Sequence, residues 1–241
     1  MKALILAAGR GERMRPLSDH TPKPLLEVGG KKLIEWHLEA LARAGVHDVV
    51  VNTAWLEEQF PAALGDGSRH GVRITYSFEG RDHGGALETA GGIAKALPLL
   101  GDAFWIVSGD IYAPDFSFER ADADAFIASG ALGQLWFVPN EPYHTGGDFG
   151  IDARGHANRG VDPKLTYANF ALFRAELFRD IVPGTKLAMR PKLEEALDRD
   201  ALRGKAWDKP WYNIGTPQQL ADLNRRVGQA RAPGSAGPAG R

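Results

Sequence analysis

The chain has 241 residues, 44% hydrophobic and 24% charged, which is enough for one substantial α/β domain and ordinary for a protein that buries a core. Its net charge of −1 gives no overall field to attract nucleic acid or a membrane surface, and no apolar stretch approaches the roughly 20 residues needed to span a bilayer. With no cysteine, disulfides, thiolate metal sites and cysteine nucleophiles are excluded, and the seven scattered histidines lack the spacing of a zinc site.

The first apolar run, residues 4–8, stops at Gly9 and is too short for the core of a signal peptide. It reads as a strand covered on both faces in a parallel sheet, and a cytoplasmic location is expected. Residues 9–16 are a charged, glycine-punctuated loop. Apolar residues at helical spacing over 33–44 predict a helix capped by Gly45. A second strand follows at 48–53, a helix at 55–64 and a third strand at 72–77. Residues 80–92 are glycine-rich and predict a loop that turns into a helix reaching position 97. Another apolar strand, 104–107, ends at Ser108-Gly109-Asp110.

This alternation predicts βαβ units, a mostly parallel sheet, and ligands at the carboxyl ends of its strands. Further strands are expected at 133–138, 149–152, 166–173 and 211–214, then an amphipathic helix over about 217–226. The tail 227–241 is dominated by Gly, Pro, Ala and Ser and is expected to be disordered.

Gly9 and Gly11 allow a tight turn that can present backbone N–H groups to a phosphate, and Arg10, Arg13 and Arg15 add three guanidiniums within six residues. Lys23 follows in Thr21-Pro22-Lys23-Pro24. The glycine pattern alone is weak. It lacks the third glycine of a dinucleotide site and the lysine and hydroxyl of a P-loop, and a solvated basic loop would explain it as well.

The longer string LILAAGRGERMRPLSDHTPKPL carries far more information. It resembles the opening signature of the sugar-1-phosphate nucleotidyltransferases, with Ser18 in place of a threonine. The resemblance extends over residues 1–226 and implies a Rossmann-like three-layer α/β fold with a mixed, mostly parallel central sheet. It implies a single domain whose nucleotide side is about 1–110 and whose sugar-phosphate side is about 111–226.

By the same resemblance, Leu6, Ala7, Ala8, Gly9 and Gly11 hold the nucleotide, Arg13 braces the triphosphate, and Lys23 meets the reacting phosphates. Asp110 matches the family's Gly-Asp metal ligand for Mg²⁺. Asn213, before Ile214-Gly215-Thr216, stands where the family carries a second acidic ligand, so it supplies an oxygen without a charge. Glu88, Thr89, Gly91 and Gly92 match the segment that recognises the base. Glu88 in that place, together with stretches such as Asn52-Thr53-Ala54-Trp55, resembles the N-acetylmuramate α-1-phosphate uridylyltransferases of peptidoglycan recycling.

Asp148, Tyr167, Asn169 and Lys186 are the expected sugar-phosphate contacts, each weighed against a plain turn or strand-edge role. The implied reaction joins a sugar 1-phosphate to a nucleoside triphosphate, UTP by preference, and releases pyrophosphate. The implied enzyme is a monomer or weak homodimer with no nucleic-acid or membrane partner. Two other readings remain: a guanylyl- or cytidylyltransferase acting on mannose or heptose 1-phosphate, and a weakly catalytic nucleotide-sugar sensor favoured only by Asn213.

Overall fold

The computed structural model describes residues 1–231. Its centre is a seven-stranded sheet: β1 (Lys2–Leu6), β2 (Asp48–Thr53), β3 (Arg73–Phe78), β4 (Ala103–Ser108), β5 (Gly133–Val138), β6 (Thr166–Arg174) and β7 (Leu202–Ala206). Their order is β7-β5-β6-β4-β1-β2-β3. All pairs are parallel except those that β6 makes with β4 and β5. The sheet is therefore mixed and mostly parallel, as expected. The chain winds outward from β1 to β3 and then crosses back to β4 on the other side of β1. That reversal opens a crevice at the carboxyl ends of β1 and β4.

Among the described residues, seven α-helices accompany the sheet: α1 (Leu33–Arg43), α2 (Gln59–Leu64), α3 (Glu79–His83), α4 (Glu88–Ala96), α5 (Arg120–Ser129), α6 (Arg190–Asp198) and α7 (Pro217–Arg231). The central strands β1 and β4 read as nearly unbroken apolar runs because both faces are covered. On one face Ile5, Val49, Val51 and Trp105 pack with Ile34, Leu38 and Leu41 of α1, Phe60 of α2 and Phe126 of α5. On the other, Leu4, Val50, Phe104 and Ile106 pack with Ile93 of α4 and Leu193 and Ala196 of α6. Alternate residues of one strand thus serve two cores, which makes three layers.

A smaller third cluster joins Met14, Val28, Leu33, Tyr112 and Ile214 to Leu220 and Leu223 of α7, with Val227 packed against it. This corrects the expected tail. Val227 continues the apolar stripe by another turn, so residues 227–231 are helical; the remainder of the expected tail, 232–241, lies outside the described residues. The helix expected from residue 55 starts only at Gln59. Trp55 is turned instead toward the glycine loop, where its indole N–H donates to the Ser18 carbonyl at 2.8 Å, and Leu56 takes a left-handed conformation. No helix among the described residues is long and apolar enough to cross a membrane.

His37 of α1 is 3% exposed and donates from Nε2 to the Ile111 carbonyl at 2.8 Å. Burial lowers its pKa to about 4, against the smaller opposing effects of that hydrogen bond and of Asp110. The unfolded chain therefore binds a proton that the fold resists. His37 stabilises the fold fully above about pH 6.5, and that contribution declines by about 3 kcal/mol as pH falls toward 4. Urea denaturation of the wild type and of His37→Gln should show the variant losing less stability between pH 7 and pH 4.5. Parallel losses would contradict the assignment.

Candidate active site

The turn after β1 is fixed from below. Gly11 lies in the left-handed region, at φ 66°, where a side chain would be strained, and the Lys23 stem packs within contact distance beneath it. Its carbonyl accepts the Ser18 hydroxyl at 2.8 Å, and Ser18 is in turn held by Trp55. The three arginines separate in space. Arg10 lines the cleft and lies 4.4 Å above the Trp55 ring, a cation–π contact that pins the loop. Arg15 pairs with Asp19 on the surface, and Arg13 reaches the region of Gly215.

Lys23 opens a short 3₁₀ turn, Lys23–Leu25, placed by Pro22 and Pro24, and is only 9% exposed. Its ammonium is 2.5 Å from Oδ2 of Asp110. Asp110 is brought there by Gly109, whose N–H donates to the Leu6 carbonyl at 2.8 Å. A Cβ on Gly109 would crowd that same carbonyl and the Pro24 ring at 3.1 Å, so the approach of β1 and the proline turn needs glycine here. The adjoining strand pair Ile111–Tyr112 and Tyr212–Asn213 ties the Asp110 carbonyl to the Ile214 N–H at 3.2 Å.

One cleft of about 470 Å³ gathers residues 6–9 and 11, Lys23, Asp110, Glu88, Thr89 and Lys186. Glu88 sits at φ 62°, a strained conformation for a non-glycine residue and one often retained at functional sites. Thr89, Leu6 and Ser108 also border an inner hollow with Asp148, Tyr167 and Asn169. These three continue into an outer hollow lined by Arg13, Tyr143, His144 and Asn213. The sugar-side residues are thus contiguous with the cleft, while Arg13 and Asn213 lie at its outer end.

Asp148 is oriented by the Tyr167 N–H, which donates to Oδ2 at 2.8 Å. Burial and the Asp148 charge push the Tyr167 phenol above its usual range, so it stays a neutral donor. Asn169 has φ 60° within the irregularity of β6 between Tyr167 and Ala171, a bulge that re-aims residues toward the hollow.

Gly91 and Gly92, expected at the base, are not among the residues that line the cleft. Both are buried in α4, where a Cβ on Gly91 would collide with the Thr185 carbonyl and one on Gly92 would collide with the Glu79 carboxylate. Their smallness lets chain segments meet behind the wall. Asn52, Ser108 and Arg190 line the cleft or its hollows without having been singled out as site residues. Asn52 carried a signal, a polar residue closing an apolar strand. Arg190 carried none.

A protein-family model described as nucleotidyl transferase matches residues 2–158. The N-acetylmuramate alpha-1-phosphate uridylyltransferase of Neisseria meningitidis is 43% identical over 95% of this chain and 99% of its own. The protein of that description from Caulobacter vibrioides is 32% identical over 95% and 97%. Among solved structures, a putative glucose-1-phosphate thymidylyltransferase from Bacillus anthracis shares the fold with a TM-score of 0.78 at 22% identity, over 94% of this chain and 95% of that one. On the family match and on these relatives, the chain belongs to the nucleotidyl transferase family, as a sugar-1-phosphate nucleotidyltransferase.

Proposed function

We propose that the chain transfers the uridylyl group of UTP to N-acetylmuramate α-1-phosphate, giving the UDP-sugar and pyrophosphate. The observation that carries the reaction type is the single cleft in which a glycine turn, Lys23, Lys186 and Asp110 face a hollow lined by polar groups. The relatives matched over nearly their whole length support this base and sugar.

A phosphate oxygen of the sugar 1-phosphate attacks the α-phosphorus, the α–β phosphoanhydride bond breaks, and the electron pair leaves with pyrophosphate. The nucleophile is already an anion, so no base and no covalent enzyme intermediate are needed. Catalysis is then positioning and charge stabilisation. Lys23 and Lys186 offset phosphate charge in the cleft, and the glycine turn lets the nucleotide approach the backbone. Asp148, Tyr167 and Asn169 orient the sugar.

The donors present fit Mg²⁺. Asp110 offers a carboxylate and Asn213 an amide oxygen, and among the described residues no group of three His, Cys, Asp or Glu could form an all-protein metal cage. When bound, the ion would neutralise phosphate charge and hold the two reactants together. Lys23 engages Oδ2 of Asp110, which would leave the other carboxylate oxygen to be offered to the ion.

The test is pyrophosphate release across a grid of the four nucleoside triphosphates and several sugar 1-phosphates. The strongest signal is expected for UTP with N-acetylmuramate α-1-phosphate. Preference for GTP or CTP with a mannose or heptose phosphate would replace this specificity and keep the reaction. Silence across the grid from folded, nucleotide-binding protein would favour the sensor.

A further inference from the structure

Behind the cleft lies a carboxylate that the reaction above does not use. Glu79, the first residue of α3, is 0% exposed. Its Oε1 accepts the Asn52 amide N–H at 2.6 Å, and its Oε2 accepts the Leu87 backbone N–H at 2.8 Å. Asn52, at the end of β2, accepts the Ala7 N–H with its own Oδ1 at 2.8 Å. Both ends of the Asn52 amide are therefore assigned by their partners.

The far end of this chain of bonds continues to the opposite wall. The Leu87 carbonyl accepts the Leu187 N–H at 2.9 Å, and the Leu187 carbonyl accepts from Ala90 and Gly91 at 2.9 and 3.1 Å. Lys186 thus immediately precedes a residue whose backbone is clamped to the Leu87 turn. Ala7 belongs to one wall of the cleft, and Ala86, Glu88, Thr89 and Lys186 to the other. The space around Glu79 is closed, since a Cβ on Gly92 would meet its carboxylate and stand 2.7 Å from the Asn52 amide nitrogen.

A buried carboxylate is costly and persists where its charge is matched by donors. Here both donors are N–H groups aimed at separate oxygens, which only an acceptor with two oxygens can serve. A glutamine would place an NH₂ against one of them and leave a buried donor unpaired.

We propose that Glu79 is a positioning residue for the nucleotide: without touching substrate, it fixes the separation of the glycine-turn wall from the wall that carries Glu88, Thr89 and Lys186. The inference rests on the nucleotide-transfer reading of this cleft. Opening that separation weakens the grip on the nucleotide, while the sugar hollow beyond Asp148 keeps its shape.

The test is calorimetric titration of wild type and Glu79→Gln with each nucleoside triphosphate, followed by steady-state kinetics with the pair the wild type prefers. The Leu87 turn is expected to shift to relieve the unpaired buried donor, and nucleotide affinity to fall about tenfold as the two walls lose their spacing. KM for the sugar phosphate should rise by a clearly smaller factor, because of its expected contacts only Lys186 stands on the displaced wall, while Asp148, Tyr167 and Asn169 line the hollow beyond it. A loss of this kind that appears as KM for one substrate is not what partial unfolding produces.

If Glu79→Gln does not fold, Glu79→Asp reads the same split, because the shorter arm cannot reach both Asn52 and Leu87. Wild-type nucleotide affinity in the variant would overturn the proposal, as would equal damage to both substrates. A wild type that binds no nucleotide at all would instead overturn the functional reading beneath it.

Discussion

Asp110→Ala is expected to fold normally and to lose about 10²–10³ in kcat, the usual cost of removing one preorganised electrostatic contact at a reacting centre. The side chain extends into the cleft, where it is 30% exposed and held by Lys23. What ties this turn into the fold is backbone: Gly109 to Leu6, and Ile214 to the Asp110 carbonyl. Alanine preserves both bonds, so circular dichroism should be close to wild type, with some loss of melting temperature because Lys23 loses its carboxylate partner, while the rate collapses. Near-normal turnover by the pure variant would remove Asp110 from the chemistry.

Lys23→Ala is expected to lose at least about 10² in kcat for the complementary reason, since its ammonium is the buried cation nearest Asp110. The lysine also has a structural part, because its stem packs beneath Gly11. Lys23→Met separates the two. It keeps most of the stem and removes the charge, so it should recover stability relative to alanine without recovering rate. If methionine restored turnover, the stem rather than the charge would be the functional element.

The fold was legible where physics is local. Unbroken apolar runs at 4–8 and 104–107 are too short for a buried helix and read as strands covered on both sides, and β1 and β4 are such strands, each feeding both cores with alternate residues. The glycine turn, Lys23 and Asp110 stood out through the family resemblance rather than through spacing alone, and the fold brings them to one cleft. Long-range contacts were not. Trp55 lies in a segment with helical spacing, yet the Ser18 carbonyl and the Arg10 guanidinium hold it in a turn.

Gly91 and Gly92 show the limit most clearly. Small residues leading into a helix suggest room for a flat base to approach the backbone, but here their smallness lets Thr185 and Glu79 pack behind the wall. Sequence spacing cannot separate those two demands, because both require only the absence of a Cβ. Glu79 itself gave no signal: a carboxylate beside a glycine reads as a surface turn until Asn52 and Leu87 are brought to it by the sheet and by α4.

The most direct test of the central claim follows the α-phosphate. Wild-type protein with Mg²⁺, UTP labelled at the α-phosphorus and N-acetylmuramate α-1-phosphate should move the label into a UDP-sugar, with one pyrophosphate released per label transferred. Label found in free UMP, or UTP left unconsumed beside an unchanged sugar phosphate, would contradict nucleotidyl transfer in this cleft.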